Sequence, residues 1–218
     1  LVEILRDAPM REDEERLVFG LLRFYRNHFD ISGYGDCDDL TGLLNRRAFE
    51  DMFRALISPK LGRKTSPFGP LRAGDETRGA HLAMIEIDLF KRINDGFGHP
   101  HGDEALALLA RLLGENTRET DRLFRFGGET FVAVLLDTDS VGAAAALERL
   151  RVSVENFDFS RVGRLTVSIG YTAVRQDDTG ASASARAEEA LYAAKDQGRN
   201  RVCCFEAMPA GGAVAAAG

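Results

Sequence analysis

The chain has 218 residues, of which 44% are hydrophobic and 28% charged, and its formal net charge at pH 7 is -6. This length and composition are typical of one globular domain with appendages, and the acidic balance argues against nucleic acid or an anionic membrane as a partner. No apolar run is long enough for a membrane span, and no secretory signal pattern is present. The three cysteines are too few and too badly spaced for a disulfide framework or a zinc site, so we expect a reducing, cytoplasmic compartment. Because the sequence starts at Leu1 rather than methionine, we expect a fragment of a longer protein.

The first predicted element in chain order is a helix from Glu14 to Phe29, whose apolar side chains recur at helical spacing. Glycines and acids between Ile31 and Asp39 then interrupt the pattern. This helix could pack on the domain that follows, or it could be a signalling or dimerisation helix. We therefore expect residues 1–38 to form a helical linker or dimerisation segment.

The next segments predict a helix, a loop, a strand, a second helix and a hairpin. The helix runs from about Asn45, a plausible N-cap, to Ile57, and the Gly- and Pro-rich stretch from Ser58 to Ala80 is predicted to be a loop. HLAMIEID predicts a strand, and GDEALALLARLLGE predicts a buried helix with Asp103 near its start. LFRF and ETFVAVLL flank the pair Gly127-Gly128, which predicts a tight hairpin.

The remainder predicts a helix from Val141 to Val154, a strand at LTVSIGYTAV and a last helix at RAEEALYAAKDQGRN that ends at Gly198. RVCCF is predicted to be a closing strand, and the low-complexity residues 207–218 are predicted to be a disordered tail. Helices and strands alternate without strict regularity, which predicts an α/β or α+β fold around one sheet.

Several acids lie where strands end. Glu86 and Asp88 are two residues apart on a predicted strand and so share a face, and Glu129 follows the hairpin turn. If the strands are neighbours, Glu86 and Glu129 could converge, and carboxylates with water and phosphates are the usual ligands of Mg²⁺. The alternative is that these acids are solvated or cap turns.

Two further groups of polar residues have alternatives of the same kind. Asp103 could be a helix N-cap and Asn94 a turn residue, or the two could pair with the edge of a guanine. Lys195 and Arg199 could interact favourably with the dipole at the C-terminal end of the last helix, or they could bind phosphate.

RETD contains Arg118 and Asp121, which could form an exposed ion pair of little energetic value. The spacing of these two residues alone does not identify a binding site.

Five sequence blocks occur in order between Asp39 and Val202: DLTGLLNRRAF, IEIDLFKRINDGFGHPHGDEAL, RETDRLFRFGGETF, LTVSIGY and EALYAAKDQGRNRV. Together they closely resemble the GGDEF domain family, the diguanylate cyclases. The resemblance implies a GGDEF domain over residues 39–206, with a central, mostly antiparallel five-stranded sheet wrapped by helices, similar to class III nucleotidyl cyclases. It also implies a homodimer in which each domain holds one GTP. In the reaction that the resemblance implies, the 3′-hydroxyl of each GTP attacks the α-phosphate of the other GTP and expels pyrophosphate, and the product is the bacterial second messenger cyclic di-GMP.

The resemblance also implies roles for individual residues. The Mg²⁺ or Mn²⁺ ligands would be Glu86, the Ile87 carbonyl and Glu129, and Glu129 would also assist deprotonation of the 3′-hydroxyl. The substrate-binding residues would be Asn94 and Asp103 for guanine, with Lys91, Lys195 and Arg199 for phosphate. An inhibitory site for cyclic di-GMP would comprise Arg118, Asp121 and Arg149.

Two residues depart from the family pattern. Thr130 stands where the family has the second acid of its signature motif, and Glu86 stands where the first metal ligand is usually Asp. The hydroxyl of Thr130 cannot replace a charged oxygen as a metal ligand. The additional methylene of Glu86 shifts its carboxylate relative to that of an Asp, and catalysis here depends on alignment. We therefore expect a weak diguanylate cyclase. The alternatives are a degenerate, inactive domain that acts as a cyclic di-GMP or GTP receptor, and a dimerising scaffold.

Overall fold

The computed structural model describes residues 35–57 and 79–209 and places their strands in one mixed sheet. Its six strands have the order β1-β3-β4-β2-β5-β6. The central pairs β3–β4, β4–β2 and β2–β5 are antiparallel, whereas the outer strands β1 and β6 pair in parallel with β3 and β5. The strands are β1 Leu44–Asn45, β2 Gly79–Ile87, β3 Arg122–Gly127, β4 Thr130–Thr138, β5 Val167–Ala173 and β6 Val202–Cys204.

Five α-helices surround this sheet in the described ranges, which confirms the predicted α+β fold with a mostly antiparallel sheet. The helices are α1 Arg46–Ile57, α2 Phe90–Phe97, α3 His99–Asn116, α4 Ser140–Asn156 and α5 Gly180–Asp196. The side chain of Asn45 accepts a hydrogen bond from the Ala48 amide, which confirms Asn45 as the N-cap of α1.

The predicted number of five strands is wrong for the described residues, because Leu44–Asn45 forms a sixth strand at the edge of the sheet. Several element boundaries also differ from the prediction. The sheet strand β2 begins at Gly79, α3 begins at His99 rather than Gly102, and α5 begins at Gly180 rather than Arg186. The helix α2 was not predicted.

Both faces of the sheet are buried, which explains the nearly continuous apolar runs of β2 and β4. On one face, apolar side chains of α2, α3 and α4 form a core with alternate residues of the central strands, including Ile85 and Phe131. On the other face, α1 and α5 pack on the sheet, with Phe49 of α1 against Phe124 of β3. The sheet is therefore the middle layer of three.

The predicted N-terminal helix, most of the predicted loop from Ser58 and the tail from residue 210 onward lie outside the described residues. Within the described part of the chain, no helix is both long and apolar enough to cross a membrane.

Candidate active site

Two carboxylates lie where the β2–β4 ladder ends. Glu86 of β2 is directly opposite Thr130, the first residue of β4, and Glu129 immediately precedes Thr130. The turn before Glu129 is made by Gly127 and Gly128, whose φ angles of 127° and 53° favour glycine. A Cβ added to either glycine would meet no atom of the described residues within 4 Å. Glu129 of the hairpin and Glu86 of the neighbouring strand β2 thus lie beside an open backbone turn.

Lys195, in the last turn of α5, completes a charged cluster with these acids. Its ammonium group pairs with Oε2 of Glu86. Burial raises the pKa of Glu129, the negative charge of Glu86 raises it further, and Lys195 opposes both effects. The acids are therefore close enough to repel each other, and a cation between them would relieve that repulsion.

This donor set fits a hard divalent cation that is only partly coordinated by protein. In residues 35–57 and 79–209, no group of three or more His, Cys, Asp or Glu residues is arranged to hold a metal ion. Mg²⁺, however, is commonly held by one or two carboxylates together with substrate phosphates and water. Ile87 lies one residue beyond the last β2–β4 pair and next to Glu86, where its carbonyl could add a neutral oxygen.

Asp88, the residue directly after β2, has a different role from Glu86. The hydroxyls of Thr166 and Ser168 each donate to its carboxylate at 2.6 Å, and the backbone amide of Asn200 donates at 3.0 Å. Asp88 is buried. Its hydrogen bonds hold the start of β5 and the segment after α5 in place. It does not join Glu86 and Glu129.

The segment after α5 contains two consecutive residues with positive φ, Arg199 at 63° and Asn200 at 47°. The side chain of Asn200 accepts a hydrogen bond from Arg151 and donates one to Glu155, both on α4. Arg199 is exposed beside this anchored residue. Its contact with phosphate stays a prediction, as does that of Lys91, which is exposed in the first turn of α2.

Asn94 and Asp103, the predicted guanine ligands, lie on neighbouring helices. Asn94 is within α2, so the alternative of a turn residue is wrong, and its side chain lies against Gly102, the residue before Asp103. Asp103 is the fifth residue of α3, so the alternative of an N-cap is also wrong. It is exposed to solvent.

The side-chain oxygen of Asn94 is buried and has no hydrogen-bond partner among residues 35–57 and 79–209. A buried, unpaired acceptor costs about 1–3 kcal/mol, so a ligand that donates a hydrogen bond here would be favoured.

The RETD segment is not the exposed ion pair that its sequence allows. Asp121 is buried, and its two carboxylate oxygens accept from the backbone amides of Arg118 and Leu136 at 2.9 and 3.2 Å. Burial raises the pKa of Asp121, and these amides oppose the rise. Arg118 is exposed, and so is Arg149, which lies on α4. Asp121 therefore shapes the turn, and the arginines are the groups accessible to a ligand.

Arg125 is a site residue that the sequence analysis missed. Its guanidinium donates to the Gly128 carbonyl at 2.8 Å and to Asp38 at 2.8 Å, and Thr41 also donates to Asp38. The hairpin turn is thereby tied to the segment before β1. Asp38 and Arg125 are far apart in the chain, so no local sequence pattern pairs them.

Comparison with known proteins identifies the family to which this fold belongs. The family model described as "Diguanylate cyclase, GGDEF domain" matches residues 36–201, and the chain belongs to this family. The chain is 39% identical over 165 residues to diguanylate cyclase DgcM of Escherichia coli, which covers 76% of this chain and 37% of that protein. It is 38% identical over 186 residues to the response regulator PleD of Caulobacter vibrioides, which covers 82% of this chain and 38% of PleD.

Solved structures agree with this assignment. The GGDEF domain of DgcB from Caulobacter crescentus, solved in complex with c-di-GMP, matches with a TM-score of 0.67 and 32% identity, over 81% of this chain and 96% of that one. Diguanylate cyclase SiaD from Pseudomonas aeruginosa, solved with its activator SiaC, matches with a TM-score of 0.68 and 30% identity, over 88% of this chain and 68% of that one. The present chain spans little more than a third of the length of DgcM and PleD.

Proposed function

We propose that this domain is a diguanylate cyclase that condenses two molecules of GTP into cyclic di-GMP. The observation that carries the proposal is the clustering of Glu86, Glu129 and Lys195 at the end of the β2–β4 ladder. Phosphoryl transfer depends on in-line positioning and on neutralisation of charge, and two acids with one cation suit that chemistry.

The reaction joins two domains, each with one bound GTP, in a homodimer. The 3′-hydroxyl of each GTP attacks the α-phosphorus of the other, the bond from that phosphorus to the bridging oxygen breaks, and pyrophosphate leaves. Glu129 assists removal of the hydroxyl proton. Burial and the negative charge of Glu86 raise the pKa of Glu129, so its carboxylate is a stronger base than that of an exposed glutamate.

The remaining residues bind and orient the substrates. Asn94 and Asp103 recognise guanine, and the unpaired buried oxygen of Asn94 supports this role. The phosphates are bound by Lys91, Lys195 and Arg199.

Glu86, Glu129 and the Ile87 carbonyl would hold Mg²⁺ or Mn²⁺, which, when bound, neutralises charge on the phosphates. We expect slow turnover, because Thr130 supplies a hydroxyl in place of a negative charge.

The second candidate function is a receptor for cyclic di-GMP or GTP without turnover. It is favoured by Thr130 and by the exposed arginines Arg118 and Arg149.

Incubation with GTP and Mg²⁺, followed by chromatographic separation of the nucleotides, distinguishes the two. The cyclase yields cyclic di-GMP and pyrophosphate. A domain that binds GTP or cyclic di-GMP in a titration but leaves GTP intact is a receptor.

A further inference from the structure

Thr130 makes a specific contact with the carboxylate of Glu86. The two residues form the last cross-strand pair between β2 and β4, and the hydroxyl of Thr130 donates to Oε1 of Glu86 at 2.7 Å. The other oxygen, Oε2, pairs with Lys195. A hydrogen bond from a hydroxyl to a carboxylate is short and strong because the acceptor is charged. Each oxygen of Glu86 thus has its own partner, and the orientation of the carboxylate is fixed.

The two departures from the family pattern meet at this hydrogen bond. Glu86 is one methylene longer than the usual Asp, and Thr130 is shorter than the usual Glu and is uncharged. Side chains directly opposite in an antiparallel pair lie close together, and like charges there are destabilising. A glutamate at position 130 would place a second carboxylate against Glu86, whereas an aspartate at position 86 would withdraw from the Thr130 hydroxyl.

We propose that Thr130 is a positioning residue for Glu86 and that the two form a compensated pair, matched in length and charge. The proposal rests on the proposed function for the role of Glu86 as a ligand of a divalent cation. Groups that hydrogen-bond to a metal ligand orient it, and their removal typically costs 10- to 100-fold in metal affinity. The change to Thr130 therefore does not only remove an acid from the site, because the Thr130 hydroxyl also orients the carboxylate of Glu86.

The test measures Mn²⁺ affinity in the presence of 3′-deoxy-GTP, which lacks the attacking hydroxyl and cannot condense. Free Mn²⁺ is counted by electron paramagnetic resonance. Thr130→Val, which keeps the shape of the side chain but removes the hydroxyl, lowers the affinity at least about tenfold. Thr130→Ser keeps the hydroxyl and leaves the affinity close to that of the wild type. Thermal melting checks that each variant is folded.

A double-mutant cycle tests the matching. Glu86→Asp and Thr130→Glu each lower the affinity, and the double variant recovers most of it, because neighbouring residues that share an interaction are not additive. Additive losses, or a Thr130→Val variant that binds Mn²⁺ like the wild type, would overturn the inference. So would a wild-type protein that binds no Mn²⁺ with this analogue. Failure to make cyclic di-GMP from GTP would reject the proposed function alone, since the analogue measurement involves no turnover.

Discussion

Asn94 of α2 and Gly102 of α3 lie so close together that a methyl group on Gly102 would overlap the buried side-chain oxygen of Asn94. Gly102 therefore leaves room for a polar group that has no partner within the described structure. It also gives a way to disturb the proposed guanine site without removing a charged or polar side chain.

We predict that the protein binds GTP more tightly than ATP and that Gly102→Ala removes this preference. The added methyl displaces the Asn94 side chain, and loss of its hydrogen bond to guanine weakens GTP binding roughly tenfold while ATP binding changes little. Gly114→Ala is the matched control, because Gly114 lies in the same helix and an added Cβ there meets nothing within 4 Å. Calorimetric titration with both nucleotides measures the effect. An unchanged preference in Gly102→Ala would remove Asn94 from the guanine site.

The exposed arginine of RETD gives a second prediction. Arg118→Ala should weaken cyclic di-GMP binding about ten- to a hundredfold, because a charged donor to phosphate or guanine is lost. The affinity for GTP should stay the same. Arg118 is a better probe than Asp121, whose buried carboxylate holds the backbone of the turn.

The matched control for Arg118 is Arg111→Ala. Arg111 is an exposed arginine of α3 that forms an ordinary ion pair with Glu115 at 3.2 Å. Equal cyclic di-GMP affinity in the Arg118→Ala and Arg111→Ala variants would reject the inhibitory site.

The third prediction concerns stability. The guanidinium of Arg186 binds both carboxylate oxygens of Asp178 at 2.7 Å, and this interaction lowers the pKa of Asp178 from 3.8 to about 2, despite burial that opposes the shift. A difference of one pKa unit corresponds to about 1.4 kcal/mol. Asp178→Asn should therefore lower the free energy of unfolding by roughly 2–3 kcal/mol at neutral pH.

The pH dependence of this loss follows from the direction of the shift. A group whose pKa is lowered on folding stabilises the protein above its unfolded pKa, and the contribution disappears as the pH falls through the folded value. The difference between wild type and Asp178→Asn should therefore be constant above about pH 5 and shrink between about pH 4 and pH 2. Denaturant unfolding measures it, with the exposed neighbour in Asp177→Asn as control. A difference that grows on acidification would contradict the assignment.

The sequence predicted the long central elements well because both hydrophobic pattern and turn chemistry were strong there. The apolar runs of β2 and β4 predicted strands and the pair Gly127-Gly128 predicted a hairpin, whereas the pairing of β2 with β4 was left open. The helix α2 escaped prediction because it has only eight residues and follows Leu89, which has a φ of 58° and forms no side-chain cap. Strand β1 escaped because it has two residues and pairs with β3 far along the chain.

Part of the site depends on contacts that one sequence cannot show. The pairing of Glu86 with Thr130 requires the register of two strands, and the link between Asp38 and Arg125 requires the whole fold. The sequence also grouped Glu86 with Asp88 because alternate residues share a face. The two separate because β2 ends at Ile87 and Asp88 turns to the hydroxyls of Thr166 and Ser168.

In the proposed function, the acids at the end of the β2–β4 ladder enable the domain to condense GTP. The most direct test is the initial rate of cyclic di-GMP formation in the wild type, in Glu129→Gln and in Glu188→Gln, an exposed acid of α5 as control. We expect slow but measurable product from the wild type and from Glu188→Gln, and none from Glu129→Gln, although all three bind GTP. Equal rates in the wild type and Glu129→Gln, or intact GTP after prolonged incubation with the wild type, would contradict it.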